Sequence, residues 1–544
     1  MSAGGRGRPG PAPAAERIRR ALTGRLRAAA AVLAPAGSAW ADAATAAGED
    51  PGALLQALVE TVRADPADDR VWLLLTAAAG AFPTRDEVDR TRREFELADE
   101  VDLSFLLLDH ALAQSGSVGH PEAAIRIVTH GVLVDVDHTA TQDLHTGIQR
   151  VVREMVPLLE AAHRPTLVRW TAERGGLSEL TRRERRRVLD WAEVERSLGR
   201  ADGIAEFDQD LDDLFETADE VLLVPWRSVV LLAEVPPVDA ADRLAALGDK
   251  SGNRLVGVFY DAIPVVSADM VPPEDATKFV RYLTAVKFAA RMAGLSDGSA
   301  AEIRGFGRAL ATQGLAGPLV ATVVPATPTQ GSGAFDPPTG AVTPPETGPV
   351  RRPADRPTSV VVIGSHEPRK NHLAVLHAAE VLWREGLDFR LDFIGGSGWG
   401  TEFPDRVAAL TAAGRPVTVR RAVAEATLHR ALTDAAFTVF PSLHEGFGLP
   451  VAESLTVGTP VITADFGPPA EIARPGGCLL VDPRDDRALT AAIRTLLTDP
   501  SEVGRLTAEI AERPARSWAD YADELWAFLV VPELAQLAGA GDDR

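Results

Sequence analysis

Cysteine is nearly missing: one, Cys478, stands in 544 residues. That excludes a disulfide framework within the chain and fits a reducing compartment, so the chain is expected in the cytoplasm. Positive charge is also short. Lys and Arg number 56 against 77 Asp and Glu, a net charge of −21, whereas a protein that grips nucleic acid needs clustered cations on phosphate. A nucleic-acid partner is therefore not expected. No apolar run approaches the roughly 18 residues of a spanning helix, and no internal repeat stands out. What the chain does have is 46% apolar residues and abundant helix formers, material for a large core spread over about three domains.

Punctuation divides the chain. Residues 1–118 read as a helical accessory domain. "GALLQALVETVRA", "RVWLLLTAAAGAF" and "RDEVDRTRREFELADEVDLSFLLLDHAL" space apolar positions by three and four, without strand alternation. Within it, "RIRRALTGRLRAAAAVLAPAGSAWA" has the basic start and small-residue end of a signal peptide. Its apolar stretch is short and broken by Pro35 and Gly37, and the plainer reading is a basic tail running into a surface helix. From 119 to 325 the texture becomes α/β. "IRIVTHGVLVDVDHT" reads as a buried parallel strand, "TGIQRVVREMVPLLEAA" as the helix after it, and "VLLVPW", "RLVGVFYDAIPV" and "LVATVVPA" as later strands. Residues 326–357, dense in Pro, Gly and Thr, read as a linker. Strands and helices alternate again from 358 to 508, between "SVVVIGS" and "CLLVDP", the pattern of a parallel sheet with helices on both faces. Helices over 509–544 close the chain.

Chemistry concentrates in "FTVFPSLHEGFGLPVAESLTVGTPVITA". "FTVF" is a strand, "PSLHEGFG" the loop leaving it and "LPVAESLTV" the next helix, with Pro450 in its first turn and Gly458 at its end. Ligands of such sheets bind at the carboxyl edge, where strands give way to helices. Gly446 and Gly448 let backbone approach a ligand closely, and a helix start offers N–H groups to phosphate. Glu445 and Glu453 bracket this turn. Phosphate repels carboxylates, but paired hydroxyls suit them as O–H donors. Two carboxylates around a phosphate-friendly turn suggest a ligand with hydroxyls on both sides of a phosphate, the layout of a nucleotide sugar.

The ordered set of segments resembles retaining GT-B glycosyltransferases of the group-one superfamily, whose E-x7-E region is matched by "HEGFGLPVAE". "VVIGSHEPRKNH" resembles the superfamily's G-T-x-E-P-R-K-N segment, "DFIGGSGWG" its L-V-G-x-x-G-W, and "TGIQRVVREM" its T-G-I-Q-R-V helix. "YDAIPVVSADM" and "GLSDGSAAE" resemble its D-x-I-P and V-S-x-x-S-x-x-E strand exits, and "SWADYADELWAFL" its returning terminal helix. The match covers 119 to about 530, the linker excepted. It implies two Rossmann-like domains with a cleft between them, preceded here by an all-α domain. By the same resemblance Lys370, with Arg369, reaches the donor diphosphate. The turn Gly446, Phe447, Gly448 and Leu449 cradles it, Glu445 holds sugar hydroxyls and Glu453 the ribose. Ser365 stands where some relatives carry a phosphate-binding Arg. Thr146 and Gly147, opening a helix, face the donor phosphates, and Tyr260 and Asp261 lie on the acceptor side. Many relatives have His where Tyr260 stands, which leaves an acceptor-side base unassigned.

The implied activity is metal-independent transfer of a sugar with retention of configuration by front-face attack. The nucleotide sugar is a substrate, and no cofactor or metal is expected. "DVD" at 135–137 mimics a metal-binding Asp-x-Asp but sits where GT-B relatives hold no metal. "GGSGWG" reads as a tight turn near the nucleotide. "RRERRR" at 182–187 reads as a solvated helix face, the alternative being a dock for an acidic acceptor or peripheral contact with an anionic membrane face. Cys478, Trp518 and Trp526 read as packing. The acceptor (glycan, lipid, peptide or small metabolite) and the oligomeric state are left open, and residues 1–118 are expected to serve the acceptor or assembly and not the donor. A nucleotide-sugar epimerase of the same fold and a non-catalytic sugar-binding scaffold are the alternatives.

Overall fold

The structure, a computed structural model, describes residues 14–34, 50–97, 103–144, 146–198, 221–326, 358–421 and 423–539. All but the first residue of the expected linker 326–357 lies outside this set, as does the end of the signal-like segment.

Among the described residues, five helices precede the first strand: α1 (Ala14–Leu33), α2 (Pro51–Arg63), α3 (Asp68–Ala79), α4 (Arg85–Leu97) and α5 (Leu103–Ser115). Asp50 caps α2 by accepting from the Ala53 amide at 3.2 Å. The helix α3 is apolar all round and buried from Val71 to Ala79, as a helix packed on several sides must be. These helices do not form a core of their own. One continuous cluster joins Leu26, Leu54, Trp72 and Phe82 to Leu133, Trp170, Leu223 and Leu232 of the sheet that follows. Phe82 sits between Trp72 at 5.1 Å and Trp170 at 6.1 Å, ring centre to ring centre. The helix α1, expected on the surface, is instead buried along Leu26, Ala29, Ala30 and Leu33. Its Arg25, 2% exposed, donates to the carbonyls of Ala77, Ala78, Pro121 and Ala123, so the helical layer and the entry to the sheet are tied by one guanidinium.

Among the described residues the first sheet has nine strands: β1 (Ala124–Thr129), β2 (Val132–Asp135), β3 (Thr166–Trp170), β4 (Leu177–Glu179), β5 (Val221–Trp226), β6 (Val229–Leu232), β7 (Arg254–Phe259), β8 (Arg291–Gly294) and β9 (Leu319–Thr322). Their order is β1-β5-β4-β3-β2-β6-β7-β8-β9, parallel except where β4 pairs. The single strand expected over 125–139 is interrupted. His130 adopts φ 53° and Arg227 of the neighbouring course φ 47°, which breaks both ladders at the same level. Ser228 Oγ closes the gap, donating to the Val128 carbonyl at 2.8 Å and accepting from the Gly131 amide at 3.1 Å. Helix α6 (Gly147–His163) follows β2, opened by a capping box between Thr146 and Gln149; α7 (Arg182–Leu189) carries the basic run, and α8 (Asp297–Ala311) follows β8.

The second sheet is β10 (Thr358–Ile363), β11 (Phe389–Ile394), β12 (Val417–Arg420), β13 (Phe437–Phe440), β14 (Val461–Ala464) and β15 (Cys478–Val481). All neighbours are parallel, in the order β12-β11-β10-β13-β14-β15. Renumbered from its own first strand this is 3-2-1-4-5-6, the doubly wound order whose ligand crevice opens where the winding reverses. The reversal lies between β10 and β13. Helices α9 (His372–Arg384) and α10 (Glu425–Asp434) belong to this unit, as do α11 (Leu449–Thr456) and α12 (Gly467–Ala473). The chain then returns through α13 (Trp518–Leu529) and α14 (Val531–Gly539). In α13 Trp526 stacks on His163 of α6 at 4.0 Å. In α14 the buried Glu533 pairs with Arg254 and Arg291 at the amino ends of β7 and β8. The last helices therefore belong to the first unit in space and the second in sequence.

Candidate functional site

Two loops leave the second sheet at its winding reversal. After β10 comes Gly364–Asn371, and after β13 comes Pro441–Gly448. The Leu443 amide donates to the Arg369 carbonyl at 2.8 Å, which zips the loops together. Between them Lys370 Nζ meets Glu445 Oε1 at 2.6 Å, and Arg369 meets Glu445 Oε2 at 3.1 Å. Ser442 Oγ donates to the same carboxylate. Arg369 also pairs with Glu367 at 2.8 Å, and Ser365 Oγ donates to Glu367. Four charges, two of each sign, thus neutralise one another in a buried spot. Burial alone would raise the Glu445 pKa, but Lys370 and Arg369 outweigh it and hold the carboxyl down at about 2. Burial is also the main influence on Lys370 and lowers its pKa, Glu445 opposing it.

The turn that follows is shaped by close approach. Gly448 has φ 112° and caps α11, and Phe447 is buried in the core. A Cβ on Gly446 would lie 2.2 Å from the Tyr260 carbonyl of the first unit, so only glycine lets the units meet here. Gly147 faces Leu449 Cδ1 at 3.6 Å from its would-be Cβ, which sets the start of α6 against the start of α11. Thr146 is committed to capping α6 through Gln149. The "GGSGWG" turn lies tight against the Gly364–Glu367 loop: a Cβ on Gly395 or Gly398 would fall 1.9 Å from the carbonyl of Gly364 or His366.

Glu453 lies inside α11, 7% exposed. Arg150 of α6 reaches across to it, and its other terminal nitrogen meets Glu425 of α10 at 2.9 Å. With Leu428, His429 and Leu432 these three line a small hollow between the units. On the first unit, Asp261 accepts from the Ile263 amide at 3.0 Å. Burial is the chief reason its pKa rises to about 6, with Glu302 and Glu445 adding to it and Arg369 opposing. The Tyr260 side chain turns inward. Its hydroxyl donates to the Ala233 carbonyl at 2.7 Å inside the core, and burial raises its pKa.

Other features singled out in the sequence are engaged in local pairs or in the core. Asp135 accepts from Trp170 Nε1 at 3.1 Å, and Asp137 pairs with Arg174 at 2.8 Å, so both carboxylates of "DVD" serve the fold. In the basic run Arg185 pairs with Glu160 and Arg187 with Asp143. Cys478, half-buried, has its thiol pushed up to about 12 by burial. A cavity of about 220 Å³ opens at the amino ends of β7 and β8, lined by Asn253, Arg254, Lys287, Phe288 and Leu315, at the opposite edge from the paired charges. Among the described residues no cluster of three His, Cys, Asp or Glu could hold a metal ion, and no helix is long and apolar enough to cross a membrane.

Sequence reasoning brought Glu445, Lys370, Arg369, Glu453 and Asp261 forward, and the fold gathers them at one crevice. It missed Arg150 and Glu302, both inside quoted motifs, and His444, which stands beside Glu445. Nothing in a motif says that its charged residues meet a partner 142 or 303 positions away.

Comparison with known proteins points to the same unit. Residues 348–513 match the family described as "Glycosyl transferases group 1". The serotype-specific mannosyltransferase WbdA of Escherichia coli is 32% identical over 117 residues, 21% of this chain and 14% of that protein. The D-inositol 3-phosphate glycosyltransferase of Thermobispora bispora is 32% identical over 176 residues, 30% of this chain and 41% of that protein. The chain thus spans well under half the length of these curated relatives. Among solved structures, sucrose-phosphate synthase from Thermosynechococcus elongatus aligns over 76% of this chain and 98% of its own, with 16% identity and a TM-score of 0.46. Two doubly wound units face each other across a cleft, the terminal helix returns to the first, and the second unit carries the group 1 glycosyltransferase match: the fold is GT-B.

Proposed function

We propose that the protein is a retaining glycosyltransferase that moves a hexosyl group from a nucleotide-diphosphate sugar to a hydroxyl acceptor, without a divalent metal. The observation that carries this reading is the pairing of Lys370 and Arg369 with Glu445 at the winding reversal of a 3-2-1-4-5-6 sheet that faces a second unit. A diphosphate entering there replaces Glu445 as the partner of the two cations. The freed carboxylate then takes up sugar hydroxyls. Lys370, Arg369 and the Gly446–Leu449 turn stabilise charge developing on the leaving diphosphate, a preorganised field aimed at the transition state. Glu453, released from Arg150, holds the ribose hydroxyls. The acceptor attacks from the face the phosphate leaves, and the leaving phosphate oxygen takes its proton, so no protein nucleophile is required. The two cations do the charge neutralisation that a divalent ion would otherwise supply, and the carboxylates of "DVD" are held by Trp170 and Arg174.

Mannosyltransferases among the relatives put mannosyl donors first in a test panel. Incubating the purified chain with nucleotide sugars, with and without EDTA, is expected to give nucleoside diphosphate in both conditions. Loss of all turnover in EDTA with rescue by Mn²⁺ would contradict the metal-independent mechanism, and an epimerised donor released intact would contradict transfer.

A further inference from the structure

Glu445 stands between two residues that the opposite unit holds. The Gly446 carbonyl accepts from both Ser296 Oγ and Ser299 Oγ at 2.7 Å, at the start of α8. Glu471 of α12 accepts from the Asp297 and Gly298 amides of the same helix start at 2.8 and 2.9 Å. On the other side of Glu445, the His444 ring leaves its own unit and inserts into the first. Its Nδ1 lies 2.7 Å from Ser267 Oγ and its Nε2 lies 2.6 Å from Glu302 Oε1. Glu302 is itself fixed, since its second oxygen accepts from the Ala262 amide at 2.6 Å. The His444 carbonyl accepts from Arg369 at 3.1 Å. A carboxylate only accepts, so Nε2 carries a proton in every state that keeps this bond.

We propose that His444 is a positioning residue: bonded to Ser267 and Glu302, it fixes the donor loop against the acceptor-side unit and so sets Glu445 for the reaction. This inference rests on the glycosyltransferase reading above. It follows from connectivity. Among the described residues, the hydrogen bonds that tie this stretch to the first unit run through the two chain neighbours of Glu445: Gly446 offers its backbone carbonyl to Ser296 and Ser299, and His444 offers its side chain to Ser267 and Glu302. His444 is the side chain that makes closure of the cleft and placement of Glu445 a single event. The charges facing it are Glu302 from α8, Asp261 from the loop after β7, and Glu445 and Arg369 from the donor loops. Burial opposes a charge on the ring, but the carboxylates, Glu302 foremost, outweigh it and raise its pKa above the ordinary range. The positive charge of His444 in its pair with Glu302 is lost as pH rises through the His444 pKa.

The test uses the full chain and the nucleotide sugar that most raises its melting temperature, with release of nucleoside diphosphate as the readout. His444→Ala is expected to lower kcat by roughly 10- to 100-fold, as small misplacements at a reacting centre do, with KM for the donor within about threefold. His444→Gln, which still donates to Glu302, should recover part of the loss, and its kcat should lack the alkaline fall that is expected of the wild-type chain. Glu302→Gln should lower kcat in the same direction, which keeps the test alive where His444→Ala fails to fold. Wild-type kcat and pH profile in these variants, or a loss that appears in KM alone, would overturn the proposal. A wild-type chain that binds no nucleoside diphosphate would overturn the functional reading instead.

Discussion

At the scale of single residues, two glutamates eight positions apart take different partners: Glu445 meets Lys370 and Arg369 of its own unit, and Glu453 meets Arg150 of the other. Their roles should separate accordingly. Under the proposed function, in which Glu445 holds the sugar and Glu453 the ribose, Glu445→Gln is expected to lower kcat, because contacts to the sugar would tighten as positive charge develops there. Glu453→Gln is expected chiefly to raise KM for the donor, because ribose contacts do not change along the reaction. A hydrogen bond to a charged group is worth about 1.5–3 kcal/mol, an effect of roughly 10- to 150-fold that steady-state kinetics resolves. Both variants acting on KM alone would contradict the assignment. Glu445 also carries a pH signature. Its folded-state pKa of about 2 lies below the ordinary 4.5, so its pairing stabilises the fold above pH 4.5 and that contribution is lost as pH falls towards 2. Urea midpoints compared at pH 6 and pH 3 should fall more steeply for the wild-type chain than for Glu445→Gln; equal slopes would contradict the pairing. The sequence makes the two glutamates and Lys370 legible because turn, helix start and charge occur together in short segments. It does not show that Lys370 rests on Glu445, since 75 residues separate them and only the β10–β13 neighbourhood brings them together.

At the scale of elements, the site is a matter of loops at sheet edges, and glycine decides how close they come. Gly446 has no positive φ to require it; steric contact with the Tyr260 carbonyl does. Gly446→Ala should therefore hold the units apart. The expected result is a fall in kcat of roughly tenfold or more, with nucleoside diphosphate still bound by the second unit within about threefold; calorimetry and kinetics on one preparation check both, and unchanged kcat would show that the close approach does not matter. Strand and helix alternation from 358 onwards is legible because each buried parallel strand is a short apolar run closed by a turn. The first unit is harder to read. "IRIVTHGVLVDVDHT" looks continuous in hydropathy, and its break at His130 depends on Ser228, between β5 and β6, about 100 residues away. Tyr260 shows a related limit. A residue at the end of β7 can face cleft or core, and only the packing of its ring and the Ala233 carbonyl settles which.

At the scale of the whole molecule, the described helices before residue 118 and the first sheet share one core. The change of texture near residue 119 is plain in the sequence, but amphipathic spacing tells only which face of a helix is buried and not against what. Trp72, Phe82 and Trp170 stack across that boundary, so deleting 1–118 should expose one face of the sheet and give an insoluble product. Arg25→Met leaves four carbonyls without their donor and should cost about 2–4 kcal/mol in a urea unfolding experiment; a cost below about 0.5 kcal/mol, the range of ordinary surface changes, would mean Arg25 is no tie. The central claim is that the crevice holding Lys370 and Glu445 binds a nucleotide-diphosphate sugar. Binding to the folded state alone raises stability by about 2.7 kcal/mol at a ligand concentration 100 times Kd. The most direct test is therefore a melting-temperature screen of the wild-type chain and Lys370→Ala against a panel of nucleotide sugars and their nucleoside diphosphates. One nucleotide series should raise the melting temperature of the wild-type chain and leave Lys370→Ala unmoved; no shift with any donor, or a shift that survives the loss of Lys370, would contradict the account.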